Sequence, residues 1–306
     1  METKLFKDFI TFSRLQLRTW DVDPSYPLLK RLYYYHYDYE EDIALWHTFV
    51  YVAFYHLGSA ETFLRYYPHP TSSIRWVTTL PTGVERRGFR GRPDLIQEHL
   101  KDLYRKLFPF TKRIKDTISR YRDAWSTIRE DYQSVSYAGP WSSYKLVDLL
   151  KWVHGYEITS PDFGVGGGGK KAGPIPGLAA ITGYDWKDCA TKIEMQQWFY
   201  NICQRQMEPQ FGGMDQCETC LCDFNSLMHG RYYVGHDIDQ QLEFLTSQGL
   251  TRPYMEIRKE IFPDCVLGEN HDWREVRKKL KSLYSVYGEI YDPFSGTQPS
   301  RNKRQR

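Results

Sequence analysis

At 306 residues the chain suffices for one large domain or two ordinary ones. Its hydrophobic share of 41% and aromatic share of 16% supply enough apolar surface to offset backbone ordering, which excludes a disordered chain. Mean hydropathy is -0.61, and no run of about 18 apolar residues occurs, so no membrane span is expected.

Formal net charge is only +3, but twelve basic residues stand against six acidic ones between Glu85 and Trp125. Four more basic residues occupy the tail from Arg301 to Arg306. Local positive charge of this kind suits a phosphate-rich partner, and a solvated helix face explains it equally well. The first twenty residues show neither an uninterrupted apolar core nor a small-residue cleavage site, so no secretory signal is expected. Six scattered cysteines do not make a disulfide-stapled scaffold, and a reducing cytoplasm is the expected compartment.

The front of the chain reads as helix. Apolar and aromatic residues recur at helical spacing over Tyr26–Tyr37 and Asp42–Leu57. Ser59 is placed to cap a further helix that Pro68 ends. After His69-Pro70-Thr71 and an arginine-rich loop, Pro93 opens a helix running to Leu107, and Thr111–Tyr132 reads as one long amphipathic helix. Another spans Ser142–His154 and stops at Gly155. Ser160-Pro161-Asp162-Phe163-Gly164 and the following glycines mark a lobe boundary. Beyond it the pattern predicts a helix over Asp185–Gln204, a cysteine loop, a turn at Gly235-His236-Asp237, and helices over Asp237–Ser247, Tyr254–Ile261 and Asp272–Tyr287. The expected class is mainly α: a helical lobe over residues 1–160, a second over 161–290, and a disordered basic tail over 291–306.

Five stretches carry chemistry. Arg86, Arg87, Arg90 and Arg92 fall within seven residues, spaced by glycines and Phe89, which suits phosphate forks and base stacking. Gly164–Lys171 approaches a phosphate-binding loop, but Lys171 stands where the magnesium-holding hydroxyl should be. What remains is an anion cradle with Lys170 and Lys171, or a plain linker. Gly173–Ile181 follows, and its Ile175-Pro176-Gly177 is similar to the turn of helix-hairpin-helix proteins, whose backbone amides grip a DNA phosphate. The usual second glycine is replaced by Ala179.

The cysteine cluster stays open between three readings: zinc held by Cys217 and Cys220 with Cys203, Cys222, His229 or His236; an iron–sulfur cluster on Cys203, Cys217, Cys220 and Cys222; or buried thiols. The densest stretch, read as loop and turn, runs from Glu218 to Asp239. It combines Glu218, Asp223, His229, Arg231, Tyr232, Tyr233, His236, Asp237 and Asp239. Carboxylates beside histidine and arginine suit proton transfer and pyrophosphate handling. Asp237 also suits a helix cap, and with Asp239 a divalent cation.

The ETCLCDF and GRYYVGHDID stretches, the glycine-rich Lys-Lys loop before GPIPGL and the tyrosine-rich helical front together resemble one family. It comprises the phage α-glutamyl/putrescinyl thymine pyrophosphorylases, or amino acid:DNA transferases. The resemblance implies a two-lobed, helix-hairpin-helix, DNA-glycosylase-like fold. It further implies a partner, double-stranded phage DNA carrying pyrophosphorylated 5-hydroxymethyluracil, in the cytoplasm of an infected bacterium. A free amino acid, glycine foremost, or a polyamine would replace pyrophosphate on a base flipped from the helix, and the hypermodified thymine would resist restriction.

On that resemblance Asp237 or Asp239 is the expected base, with Glu218 in support and His236 as proton relay. Arg86, Arg87, Arg90, Arg92, Lys170, Lys171 and Arg231 would hold pyrophosphate and DNA, with Gly177 and Tyr232. Asp185, after the Ile-Pro-Gly turn, is a second catalytic candidate and also suits a helix cap. A glycosylase or lyase using Lys170 or Lys171, and a non-catalytic DNA-binding protein, are the alternatives.

Overall fold

A computed structural model describes residues 3–71, 94–164, 173–229, 232, 234–238 and 240–241. These residues form helices joined by short turns, with no strand among them, and divide into two compact units. None of the described helices is long and apolar enough to cross a membrane.

The first unit is discontinuous in sequence: residues up to Asp23 join those from Gly173 to Ile238. The N-terminal helix therefore departs from the expected 1–160 lobe, and residues 161–164 fall in the second unit. Helix α1 (Lys4–Thr19) begins at Thr3, whose hydroxyl accepts the Phe6 N–H. Its Phe6, Phe9 and Phe12 repeat every three residues and are fully buried, Phe9 meeting both Phe199 and Phe224.

In the same unit lie α9 (Pro174–Thr182), α10 (Trp186–Thr191), α11 (Ile193–Gln204) and α12 (Met214–Met228). Three expectations change here. The Asp185–Gln204 helix is broken at Lys192, which leaves helical geometry at φ -96° and ψ 96°. The cysteine loop is helix: Cys217, Cys220, Leu221, Phe224 and Leu227 form the buried stripe of α12. Ile175-Pro176-Gly177 lies in the first turn of α9, where proline is tolerated because its missing N–H has no intrahelical partner.

The second unit holds α2 (Ser25–Arg31), a π-helical turn (Leu32–His36), α3 (Glu41–Phe54), α4 (Leu57–Leu64), α5 (Asp94–Leu107), α6 (Phe110–Arg120), α7 (Ala124–Gln133) and α8 (Pro140–Trp152). Every residue from Ala44 to Phe54 is buried, so α3 is the central rod on which α4, α5, α6 and α8 pack. The expected Thr111–Tyr132 helix is two helices. Asp123 accepts the Ser126 N–H and starts α7, after Tyr121 turns extended. The cap of α4 is His56 rather than Ser59; its Nδ1 accepts the Ser59 N–H at 3.1 Å.

Ion pairs absorb much of the basic segment within this unit. Arg105 and Lys106 meet Asp102, Arg113 meets Asp131 at 3.0 Å, and Lys115 meets Glu41 at 2.6 Å.

Candidate active site

Helix α1 ends abruptly. Trp20 takes the left-handed conformation (φ 58°, ψ 16°), which a β-carbon makes costly by about 1–2 kcal/mol. The next residue, Asp21, is fully buried.

Its carboxylate reaches more than two hundred residues along the chain. Oδ2 accepts the Tyr232 hydroxyl and, at 2.6 Å, the Gly235 N–H; Oδ1 accepts the Ile238 N–H at 3.1 Å. Gly235 has φ +95°, open to glycine and strained for other residues, and helical geometry resumes at 236–238. Asp21 thus satisfies the amide donors that a helix start leaves open, the role that sequence spacing gave to Asp237.

Tyr232 is braced from two sides. Gln16 Nε2 donates to its hydroxyl at 2.6 Å and lies 3.4 Å from Asp223 Oδ2 on α12. The Tyr232 ring packs on Phe12 and His236 with centroids 5.9 and 5.3 Å away. Gln16 is fully buried and its Oε1 has no partner among the described residues, a cost of about 1–3 kcal/mol tolerated in holding the tyrosine.

Asp237 and His236 lie at the exposed side of this turn. Their side chains are each 31% accessible, and His236 Nδ1 is 2.9 Å from Asp237 Oδ1. Burial and then the negative charge of Asp237 push the Asp21 pKa up to about 7, while the three hydrogen bonds pull the other way. Burial also raises Tyr232. The arrangement is a solvent-accessible His–carboxylate pair on a turn held from beneath by a second carboxylate.

The other expected residues fall as follows. Glu218 is buried on α12, about 140° around the helix from Asp223 at 100° per residue, and Thr219 Oγ1 donates to it at 3.3 Å. Gly177 is buried, and a β-carbon there would sit 2.5 Å from the Leu221 carbonyl oxygen, so close packing of α9 on α12 accounts for the glycine. Asp185 caps α10, its Oδ1 accepting the Lys187 N–H at 2.8 Å.

Cys203, Cys217 and Cys220 are buried, Cys222 is partly so, and all four are free thiols. Burial pushes Cys217 and Cys220 well above the usual thiol range. No group of three or more His, Cys, Asp or Glu among the described residues is arranged to hold a metal ion. Arg86, Arg87, Arg90, Arg92, Lys170, Lys171, Arg231 and Asp239 lie outside the described residues, as do the expected helices beyond 241.

Compared with known families, the chain matches the amino acid:DNA transferase profile over residues 22–233. It belongs to the amino acid:DNA transferase family. No curated protein matches the chain. The matched segment takes in Asp223 and Tyr232 of this transferase, and stops just short of Asp21 and Asp237. Crowding in the sequence singled out His236, Asp237 and Tyr232, which the structure brings together, but gave no sign of Asp21 and Gln16 beside them. An aspartate after an amphipathic helix carries no signal of a partner so remote in sequence.

Proposed function

We propose that the protein transfers the amine of a free amino acid onto the 5-methylene carbon of a pyrophosphorylated 5-hydroxymethyluracil in DNA, releasing pyrophosphate. The observation that carries this reading is the accessible His236–Asp237 pair within a chain of the amino acid:DNA transferase family. Amino acids reach neutral solution as ammonium ions, which have no lone pair. His236, oriented by Asp237, accepts that proton, as histidine commonly does in general-base catalysis. The freed nitrogen lone pair then forms the N–C bond while the bond from the methylene carbon to pyrophosphate oxygen breaks. The leaving group departs with its electron pair, and the new secondary ammonium gives its second proton to solvent.

Departure of pyrophosphate calls for cations. Arg86, Arg87, Arg90, Arg92, Lys170, Lys171 and Arg231 are the candidates from their charge and glycine-rich surroundings. Glycine, the smallest amino acid, is the first substrate to try. Flipping the nucleotide out of the duplex would bring the methylene within reach. Asp239 stays a candidate partner in proton transfer.

The test is nucleoside mass spectrometry after incubating the protein, glycine and a duplex bearing 5-pyrophosphoryloxymethyl-deoxyuridine. A glycine-substituted nucleoside is expected, and Asp237→Asn is expected to lower its rate about 100-fold while DNA affinity stays within about threefold. An abasic product would favour a glycosylase instead. Equal loss of turnover and affinity would make Asp237 structural.

A further inference from the structure

Asp21 is buried, and among the described residues it has no cationic partner. Buried carboxylates are ordinarily held by a cation or a full set of hydrogen-bond donors. Here the donors are the Tyr232 hydroxyl and the Gly235 and Ile238 amides, and the charge that acts on it from the same turn is a second carboxylate, Asp237. Capping alone does not call for this choice. A neutral Asn or Ser supplies an acceptor to a helix start without setting like charges against each other. The aspartate costs stability where a neutral cap would not, and what its charge adds falls on Asp237 and His236.

We propose that Asp21 is a positioning residue for the transfer: its buried carboxylate fixes Tyr232 and the turn at 234–238, and its charge keeps the His236–Asp237 pair basic enough to take the amine's proton. The inference rests on the reading of that pair as the base. The groups facing Asp21 are Tyr232 and Asp237 from the turn, with His236 bonded to Asp237. From α1, Gln16 reaches it through the Tyr232 hydroxyl, and Asp223 of α12 accepts from the same Gln16 amide. Trp20's left-handed backbone ends α1 in the residue before it, so the carboxylate enters the interior instead of continuing the helix. Negative charge near a base stabilises its protonated form and raises its pKa. The buried surroundings of Asp21 keep solvent from screening that effect.

The experiment is a double-mutant cycle on the intact chain, with the pyrophosphorylated duplex and glycine as substrates. In Asp21→Asn, kcat is expected to fall about 10- to 100-fold while glycine KM and DNA Kd stay within about threefold. The acid limb of kcat against pH is expected to move down, because in the wild-type enzyme protonation of His236 is coupled to ionisation of Asp21, and the asparagine has no charge to offer. Tyr232→Phe removes one donor and leaves the charge, so its rate falls by a smaller factor and the limb stays in place. Asp21→Asn/Asp237→Asn is expected to be no slower than Asp237→Asn alone.

An Asp21→Asn enzyme with an unmoved limb, or losses that multiply in the double variant, would overturn the proposal. Full activity in Asp237→Asn would instead overturn the reading beneath it. A readout free of substrate runs beside the kinetics: the His236 ring is titrated by NMR, and Asp21→Asn is expected to lower its midpoint. An unchanged midpoint counts against the proposal even where no transfer is detected.

Discussion

Gly177→Ala separates two accounts of the Ile-Pro-Gly segment. The added β-carbon would lie 2.5 Å from the Leu221 carbonyl oxygen, 3.3 Å from its carbon and 3.4 Å from Asn225 Cβ. The first of these is backbone and cannot swing aside, so α9 and α12 must part. Separation of the helices forfeits packing along the whole contact, and overpacking of this sort costs about 1–3 kcal/mol. Alanine returns up to about 1 kcal/mol through its better helix propensity, less in a first turn. The net expectation is a loss of about 1–2 kcal/mol, or a melting midpoint lower by roughly 1.5–3 °C at this chain length.

Circular dichroism melts and fluorescence anisotropy with a duplex oligonucleotide would be run on the same preparations. The packing account expects a lower midpoint with DNA affinity unchanged at low temperature. A midpoint equal to wild type with affinity lost would refute it, and would return the glycine to the phosphate-gripping role that its motif suggests.

Two further predictions concern pH. Burial lowers both His47 and His99 to about 4, below the usual 6.5. In the second unit His99 Nδ1 lies 2.8 Å from the Ser136 carbonyl and Nε2 lies 3.1 Å from the Tyr132 hydroxyl. The neutral ring serves both, donating to the carbonyl and accepting from the phenol. Because the unfolded histidines protonate first, stability is lost as pH falls below about 6.5, by about 2 kcal/mol per histidine at pH 5. A wild-type urea midpoint that does not drop between pH 7.5 and 5 would contradict this.

Asp21 has the opposite sign. Its folded pKa of about 7 lies above the unfolded value of 3.8, so its contribution is greatest in acid and is lost as pH rises towards 7. Asp21→Asn is therefore expected to flatten that component of the urea midpoint between pH 5 and 7.5. An unchanged slope in the variant would show that Asp21 titrates normally.

Much of the helical framework is readable from local chemistry. Pro109 separates α5 from α6, Asp185 caps the helix that follows it, and the glycine at 155 ends the chain segment after α8. Such signals act within one or two turns, so a sequence window contains both partners. The buried stripe of α12 was obscured because two of its residues are cysteines, whose spacing equally suggests ligands or a loop. Crowding also marked His236, Asp237 and Tyr232.

Tertiary structure decided the rest. Breaks at Tyr121–Asp123 and Lys192 interrupt patterns whose apolar period continues across them. The discontinuous first unit joins Phe9 and Phe12 to Phe224 across about two hundred residues. The role of Asp21 arises from the same closure, since its donors at Tyr232, Gly235 and Ile238 meet it only once α1 has packed on α12. Helix propensity and capping are properties of neighbouring residues, whereas the burial of a carboxylate depends on which distant groups folding brings to it.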